Sequence, residues 1–292
     1  MINVDTTNIL PEAQAGKKFP AWLEKMQKAG PPISTTVKGL DNVLGGFRGV
    51  TIIGGAPSCG KTGFVIQVAQ QYAKEGGPVI FLSYEQGPGG FFSRLFQRET
   101  GREIKDMIDI LQGENGEEIA AKLKEEINQM KTLRLFGLPA KGEEEQQIKA
   151  VKDAIKTMQE ATKKTALLVV DSLHYVPLGK DSAGLDGKRA IDAALKIFTK
   201  IEQATGAAVV LISHQTKTEV SSGNSGLMAF SGSATISYAS DIAIQLQRKK
   251  TDKKEIDVLE PGLNISVPKN RFGATDTEGF EVPYNLQKQI IG

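Results

Sequence analysis

A single cysteine among 292 residues leaves no internal disulfide framework and suits a reducing compartment. No apolar run reaches the length of a membrane span, and no opening stretch resembles a signal peptide. A cytoplasmic protein with no membrane partner is the expectation. Charge of one sign is also scarce, since 36 Lys+Arg against 34 Asp+Glu leave a net +2. That balance neither announces nor excludes a nucleic-acid partner. Internal repeats are absent too. What is present, 40% hydrophobic and 24% charged residues, can bury one large core with a small appendage. The appendage is residues 1–32, a polar arm followed by a short linker helix with Trp22, Met26 and Ala29 on one face, ended by Pro31 and Pro32. Such a helix is too short to stand alone, so its face docks either on its own core or on a neighbouring subunit. Residues 33–292 form the main domain.

The core of that domain is organised around Gly55-Ala56-Pro57-Ser58-Cys59-Gly60-Lys61-Thr62, which fits the G-x-x-x-x-G-K-[ST] phosphate-binding loop. A loop that turns its backbone N–H groups onto a phosphate needs the conformational freedom of Gly55 and Gly60, and it must open a helix whose positive end faces the anion. Lys61 supplies a charge for the β and γ phosphates of ATP, and Thr62 a hydroxyl for Mg²⁺. The flanks agree: Val50–Ile53 is a β-branched run, and Phe64, Val65, Val68, Ala69 and Tyr72 recur at helical spacing. Cys59 sits where a thiol pKa can fall, yet it reads as space-filling rather than reactive.

Downstream, strands are expected at 78–83, 133–136, 166–171, 207–213, 241–246, 263–267 and near Phe280. Between them, one helix begins at Pro88 with Phe91, Phe92, Leu95 and Phe96 inward. An acidic helical segment spans Arg102–Met130 with a buried stripe of Ile119, Leu123, Ile127 and Met130. Two more helices follow, marked by Ile148, Val151, Ile155 and Met158 and by Ile191, Leu195, Phe198 and Ile201. The alternation implies an α/β fold with a twisted, mainly parallel sheet flanked by helices. Arg248, Lys249, Lys250, Lys253 and Lys254 form a basic tip, read as a solvated hairpin end, the alternative being a phosphate contact.

Three further residues stand at carboxyl ends of strands, the edge where open α/β sheets bind ligands. Asp171 ends an apolar strand and suits the second Mg²⁺ carboxylate of a phosphate-loop ATPase. Glu85 is placed to orient and deprotonate the attacking water, the alternative being a surface carboxylate in a turn. His214 is a candidate γ-phosphate sensor, the alternative being a strand cap.

Together these residues resemble the RecA-like ATPase core of ring-forming DnaB-type replicative helicases, over roughly residues 33 to 285. The marks are Ile33-Ser34-Thr35, Gly39-Leu40-Asp41, Leu44-Gly45-Gly46, the phosphate loop, Phe81–Glu85 with Arg94, Val169–Leu173, Ile212-Ser213-His214, Gly232-Ser233-Ala234, Ser240-Asp241 and Lys269-Asn270-Arg271-Phe272-Gly273. The resemblance implies Glu85 as catalytic base, His214 as γ-phosphate sensor, and Lys269 with Arg271 as a basic finger entering the next subunit's site. It also implies channel loops around 174–186 and 215–232 that hold single-stranded DNA through Lys180 and Lys217. Thr36 departs from the family's common Gly, and His214 from the Gln usual in cellular members, while some phage relatives carry His. With no collar or primase domain expected before residue 33, the chain looks like a stand-alone motor core of phage or mobile-element type.

The implied function is an ATP- and Mg²⁺-dependent nucleic-acid motor, a hexameric ring acting on single-stranded DNA or a forked duplex with a primase or loader as partner. The alternative is a RecA-like ATPase of another kind, a recombination filament or a clock or signalling ATPase.

Overall fold

Eight strands form one sheet in the order β3-β2-β4-β5-β1-β6-β7-β8. They are β1 (Val50–Gly55), β2 (Val79–Ser83), β3 (Leu133–Phe136), β4 (Leu167–Asp171), β5 (Ala208–His214), β6 (Ile242–Arg248), β7 (Leu263–Asn270) and β8 (Asp276–Val282). A two-residue pair, β9 (Tyr284–Asn285) and β10 (Ile290–Ile291), closes the chain as a small hairpin. The computed structural model describes residues 20, 30–179, 185, 187–214, 239–248 and 262–292. The linker helix, the loop residues Lys180 and Lys217 and the tip residues 249–254 lie outside the described residues. The described body is the compact unit Pro32–Gly292.

The first six strands run parallel, and β6-β7-β8 turn antiparallel at one edge. Near-continuous Val, Ile and Leu runs are what a parallel sheet covered on both faces requires. In β1, Ile53 packs into one apolar layer while Val50 and Ile52 pack into the other. On one face lie α1 (Lys38–Leu44), α2 (Lys61–Lys74) and α3 (Gly87–Thr100), with Phe81 and Phe91 meeting edge-on at 5.2 Å. On the other lie α6 (Glu144–Thr162) and α7 (Gly187–Thr205), with Val151, Ile155, Leu195 and Phe198 fully buried.

Two expectations need correction. Phe92 is 43% exposed, so α3 turns inward only Phe91, Leu95 and Phe96, and a helix resting on one sheet face has no second surface for Phe92. Residues 102–130 are not one helix but a 3-10 turn (Ile104–Asp106), α4 (Met107–Gln112) and α5 (Gly116–Gln129), broken at Gly113. Of the proposed stripe only Met130 is buried, and Ile127 is 40% exposed. This segment packs on α3, Glu126 of α5 meets Gln70 and Lys74 of α2, and of the apolar side chains Leu123 reaches the core while Ile127 is left uncovered.

β1 lies between β5 and β6, and the chain leaves its carboxyl end to reach β2 on the far side of β5 and β4. This opens a crevice at the carboxyl ends of β1, β5, β4 and β2, which is where a ligand site is expected.

Candidate functional site

The phosphate loop leaves β1 and enters α2 with Gly60 in the left-handed region at φ 103°. A Cβ at Gly55 would stand 2.5 Å from the Leu246 carbonyl oxygen and 2.6 Å from the Cys59 Sγ, so only glycine lets β1, β6 and the loop meet there. Lys61 is 4% exposed, and its Nζ donates to the carbonyls of Gly55 and Ala56, both at 2.8 Å. The ammonium is thus wrapped in its own loop. Cys59 is 2% exposed, and burial pushes its thiol pKa up despite Lys61 nearby. It fills space at the base of the loop.

Asp171 ends β4 beside Ser83 of β2, and the residue is 2% exposed. Burial raises its pKa to about 6, the Glu85 charge pushes the same way, and a hydrogen bond from Thr62 and the charges of Lys61 and Arg94 pull against it. Its Oδ1 has no hydrogen-bond partner among the described residues. Glu85 and His214, which the sequence places 129 positions apart, meet with His214 Nε2 2.9 Å from Glu85 Oε2. Both side chains stay about one quarter exposed, at 29% and 25%.

Lys61, Thr62, Glu85 and His214 line one cleft of about 370 Å³. Arg94 of α3, Arg248 at the end of β6, and Tyr284 and Gln289 of the terminal hairpin complete its wall. On sequence grounds Arg94, Tyr284 and Gln289 have no role in the site. Arg94 is a landmark of the resemblance, Arg248 belongs to the basic tip whose less favoured reading is a phosphate contact, and no local pattern ties Tyr284 or Gln289 to a loop more than 200 positions earlier. Arg94 also has a buried Nε without a hydrogen-bond partner among the described residues.

Lys269 and Arg271 are elsewhere. β7 runs antiparallel to β6 with Asn270 opposite Ile242, which puts both cations at the amino end of β1. Arg271 Nη1 lies 3.1 Å from Asp241 Oδ1, while Asp241 Oδ2 accepts the N–H of Val50, the first residue of β1. Lys269 Nζ donates to the Ser240 carbonyl at 2.5 Å, and its pKa is lowered by burial and by Arg271. From Val50 to Gly55 the strand covers roughly 16 Å. The basic pair and the phosphate loop therefore occupy opposite edges of one sheet.

A family model for the DnaB-like helicase C-terminal domain matches residues 32–288. The chain belongs to this family. Among curated proteins it is similar to DNA repair protein RadA of Mycobacterium tuberculosis strains CDC 1551 and H37Rv, 22% identical over 251 residues. The match covers 85% of this chain but 41% of each RadA, so the chain spans about two fifths of the length of these relatives. Among solved structures it superposes on an ATPase domain with TM-score 0.73 at 17% identity, over 96% of this chain and 99% of that one. A DnaB-like replicative helicase, solved in a study of its interactions with primase, gives TM-score 0.74 at 16% identity over 97% of this chain and 66% of that one. The fold is thus that of the RecA-like DnaB ATPase domains.

A nucleotide is the ligand that the DnaB-like family implies, and the residues fit one. The loop presents a helix N-terminus and a buried ammonium to the cleft, as a polyphosphate requires. The unpartnered Asp171 oxygen beside the Thr62 hydroxyl offers the hard oxygen donors that Mg²⁺ prefers. No helix is long and apolar enough to cross a membrane among the described residues.

Proposed function

We propose that this chain is the motor core of a ring-forming, ATP-dependent DNA helicase that hydrolyses ATP between subunits and translocates on single-stranded DNA. The observation that carries this reading is the separation of Arg271 from the phosphate loop by the length of β1. An arginine anchored at the amino edge of the sheet cannot reach the carboxyl edge of the same sheet, but a neighbouring copy can bring its own Arg271 to that cleft. A site completed by a neighbour calls for repeated head-to-tail contacts, and these close into rings when the rotation allows. A homo-hexamer is the proposed state. Residues 1–32 then serve as arm and linker, and 33–292 as the ATPase domain.

Bound MgATP would supply the γ-phosphoryl group and a cation that draws charge off its oxygens. Lys61 would exchange the Gly55 and Ala56 carbonyls for phosphate oxygens, and the amino end of α2 would face the anion. Thr62 and Asp171 would hold the cation, and that charge beside it would keep Asp171 ionised. Glu85 accepts a proton from the attacking water. His214, now on Glu85, turns to the γ-phosphate and so frees the base when substrate is present. Arg271 of the adjacent subunit, with Lys269, stabilises the charge that develops on transfer.

DNA as partner is supported by the helicase family and by the RadA match, and Lys180 and Lys217 are the proposed contacts. With so few basic side chains per subunit, affinity accrues by repetition around the ring and falls with salt. A primase or loader and a forked duplex suit this reading, as does a bacterial or phage-encoded cytoplasmic protein. The RadA match also favours a second reading, a recombination or repair ATPase that forms filaments. ATPase rates with and without single-stranded DNA, read beside the native mass, test the proposal. Stimulation by the strand in a closed hexamer is expected; hydrolysis indifferent to DNA, or open filaments in micrographs, would overturn it.

A further inference from the structure

The chain has two histidines, and the fold brings both to the nucleotide edge of the sheet. Their ring centroids stand 5.3 Å apart with the planes tilted by 50°, within the range in which aromatic rings attract. His214 ends β5; His174 lies on a 3-10 turn, Leu173–Tyr175, that begins two residues after Asp171. The turn itself is fixed. Leu173 is 2% exposed in the core, the Tyr175 N–H donates to the Ser172 carbonyl at 3.1 Å, and the turn packs against β5 and α7. His174 itself is exposed.

An imidazole torsion is broad and roughly two-fold, so the facing edge of a quarter-exposed histidine is set by the groups packed beside it. His214 has Glu85 on one side, 2.9 Å from Nε2, and the His174 ring at 5.3 Å. We propose that His174 is a positioning residue for ATP hydrolysis, its ring packing on His214 and keeping the edge that carries Nε2 turned into the cleft, where it meets Glu85 without nucleotide and the γ-phosphate with it. This rests on the roles given above to His214 and Glu85. His174 touches neither nucleotide nor water; it acts through His214, and a small change in aim there is enough to slow a reaction that depends on orientation.

The test is steady-state ATP turnover and nucleotide affinity for His174→Ala, His174→Phe, His214→Ala and the His174→Ala/His214→Ala double variant. His174→Ala is expected to lower kcat roughly tenfold while leaving nucleotide affinity within about twofold, because aim is lost and binding is not. His174→Phe, which restores a ring, should recover most of that loss. The double variant should turn over no more slowly than His214→Ala alone, since a residue acting through another adds nothing once that other is gone. Wild-type turnover in His174→Ala, a Phe variant as impaired as the Ala variant, or losses that multiply in the double variant would each overturn the role. If His214→Ala itself hydrolyses ATP at the wild-type rate, the sensor assignment fails and the positioning role with it. If His214→Ala is slow and His174→Ala is not, only the positioning role fails.

Discussion

At the carboxyl end of β1 the chain buries an ammonium, Lys61, and a carboxylate, Asp171, at 4% and 2% exposure. At its amino end Arg271 and Asp241 meet at 3.1 Å with side chains 52% and 21% exposed. Buried charge is costly, and a carboxylate whose pKa has climbed to about 6 records that cost directly. The exposed pair costs little to form and little to break. The difference teaches where each edge finds its partner. On the proposed reading the carboxyl edge takes a small charged ligand, and the amino edge presents a half-exposed guanidinium to a neighbouring subunit.

The largest effects are expected at the carboxyl edge. Lys61→Ala should abolish nucleotide binding, because the loop loses its buried cation, while Glu85→Ala should bind normally and lose turnover by about 10³-fold or more. Fluorescent-nucleotide titration and single-turnover hydrolysis separate the two. Wild-type hydrolysis by Glu85→Ala would remove the base assignment and leave the carboxyl edge without its chemistry.

The two aspartates should then respond with opposite signs. Because the Asp171 pKa is raised when folded, to about 6 from 3.8, the folded nucleotide-free chain binds the proton more tightly than the unfolded one. Its contribution is intact below the unfolded pKa, is lost as pH rises through about 6, and the loss amounts to about 2–3 kcal/mol by pH 8. Asp171→Asn should therefore raise the stability of the nucleotide-free protein at pH 8 by up to that amount, and change it little at pH 4, in urea titrations with Mg²⁺ absent. Equal stability at pH 8 would show that the carboxylate is not held at a cost.

Asp241→Asn should do the reverse and less. The Val50 N–H keeps an oxygen acceptor, and the exposed ion pair with Arg271 is lost along with the attraction for Lys269, so a destabilisation of about 0.5–1 kcal/mol is expected. A loss several times larger would make the amino edge a structural clamp rather than a surface presented to a neighbour.

Much of this was legible in the sequence because the phosphate loop is contiguous: Gly55 to Thr62 must be adjacent to wrap a phosphate, and the flanking strand and helix follow from their period. Asp171, Glu85 and His214 were placed by strand ends, but their mutual contacts were not, since nothing local in a strand says which strand will lie beside it. The same reason hid the terminal hairpin, which Gln67 secures by bonding both the N–H and the carbonyl of Ile291 across 224 positions. Phe92 and Ile127 misled because periodicity identifies an apolar face but not whether the fold supplies a surface to cover it. Arg271 was found by resemblance to a motif; its distance from the phosphate loop needed the register of β6 and β7.

Whether one subunit's cleft is completed by another's Arg271 is tested most directly by mixing two inactive variants. Glu85→Ala and Arg271→Ala should each be slow alone, a finger of this kind being worth roughly 10³-fold or more in rate. With subunit exchange confirmed by native mass spectrometry, the mixture should regain DNA-stimulated hydrolysis at interfaces that pair an intact Glu85 with a neighbour's intact Arg271. No recovery in confirmed mixed oligomers would contradict the account.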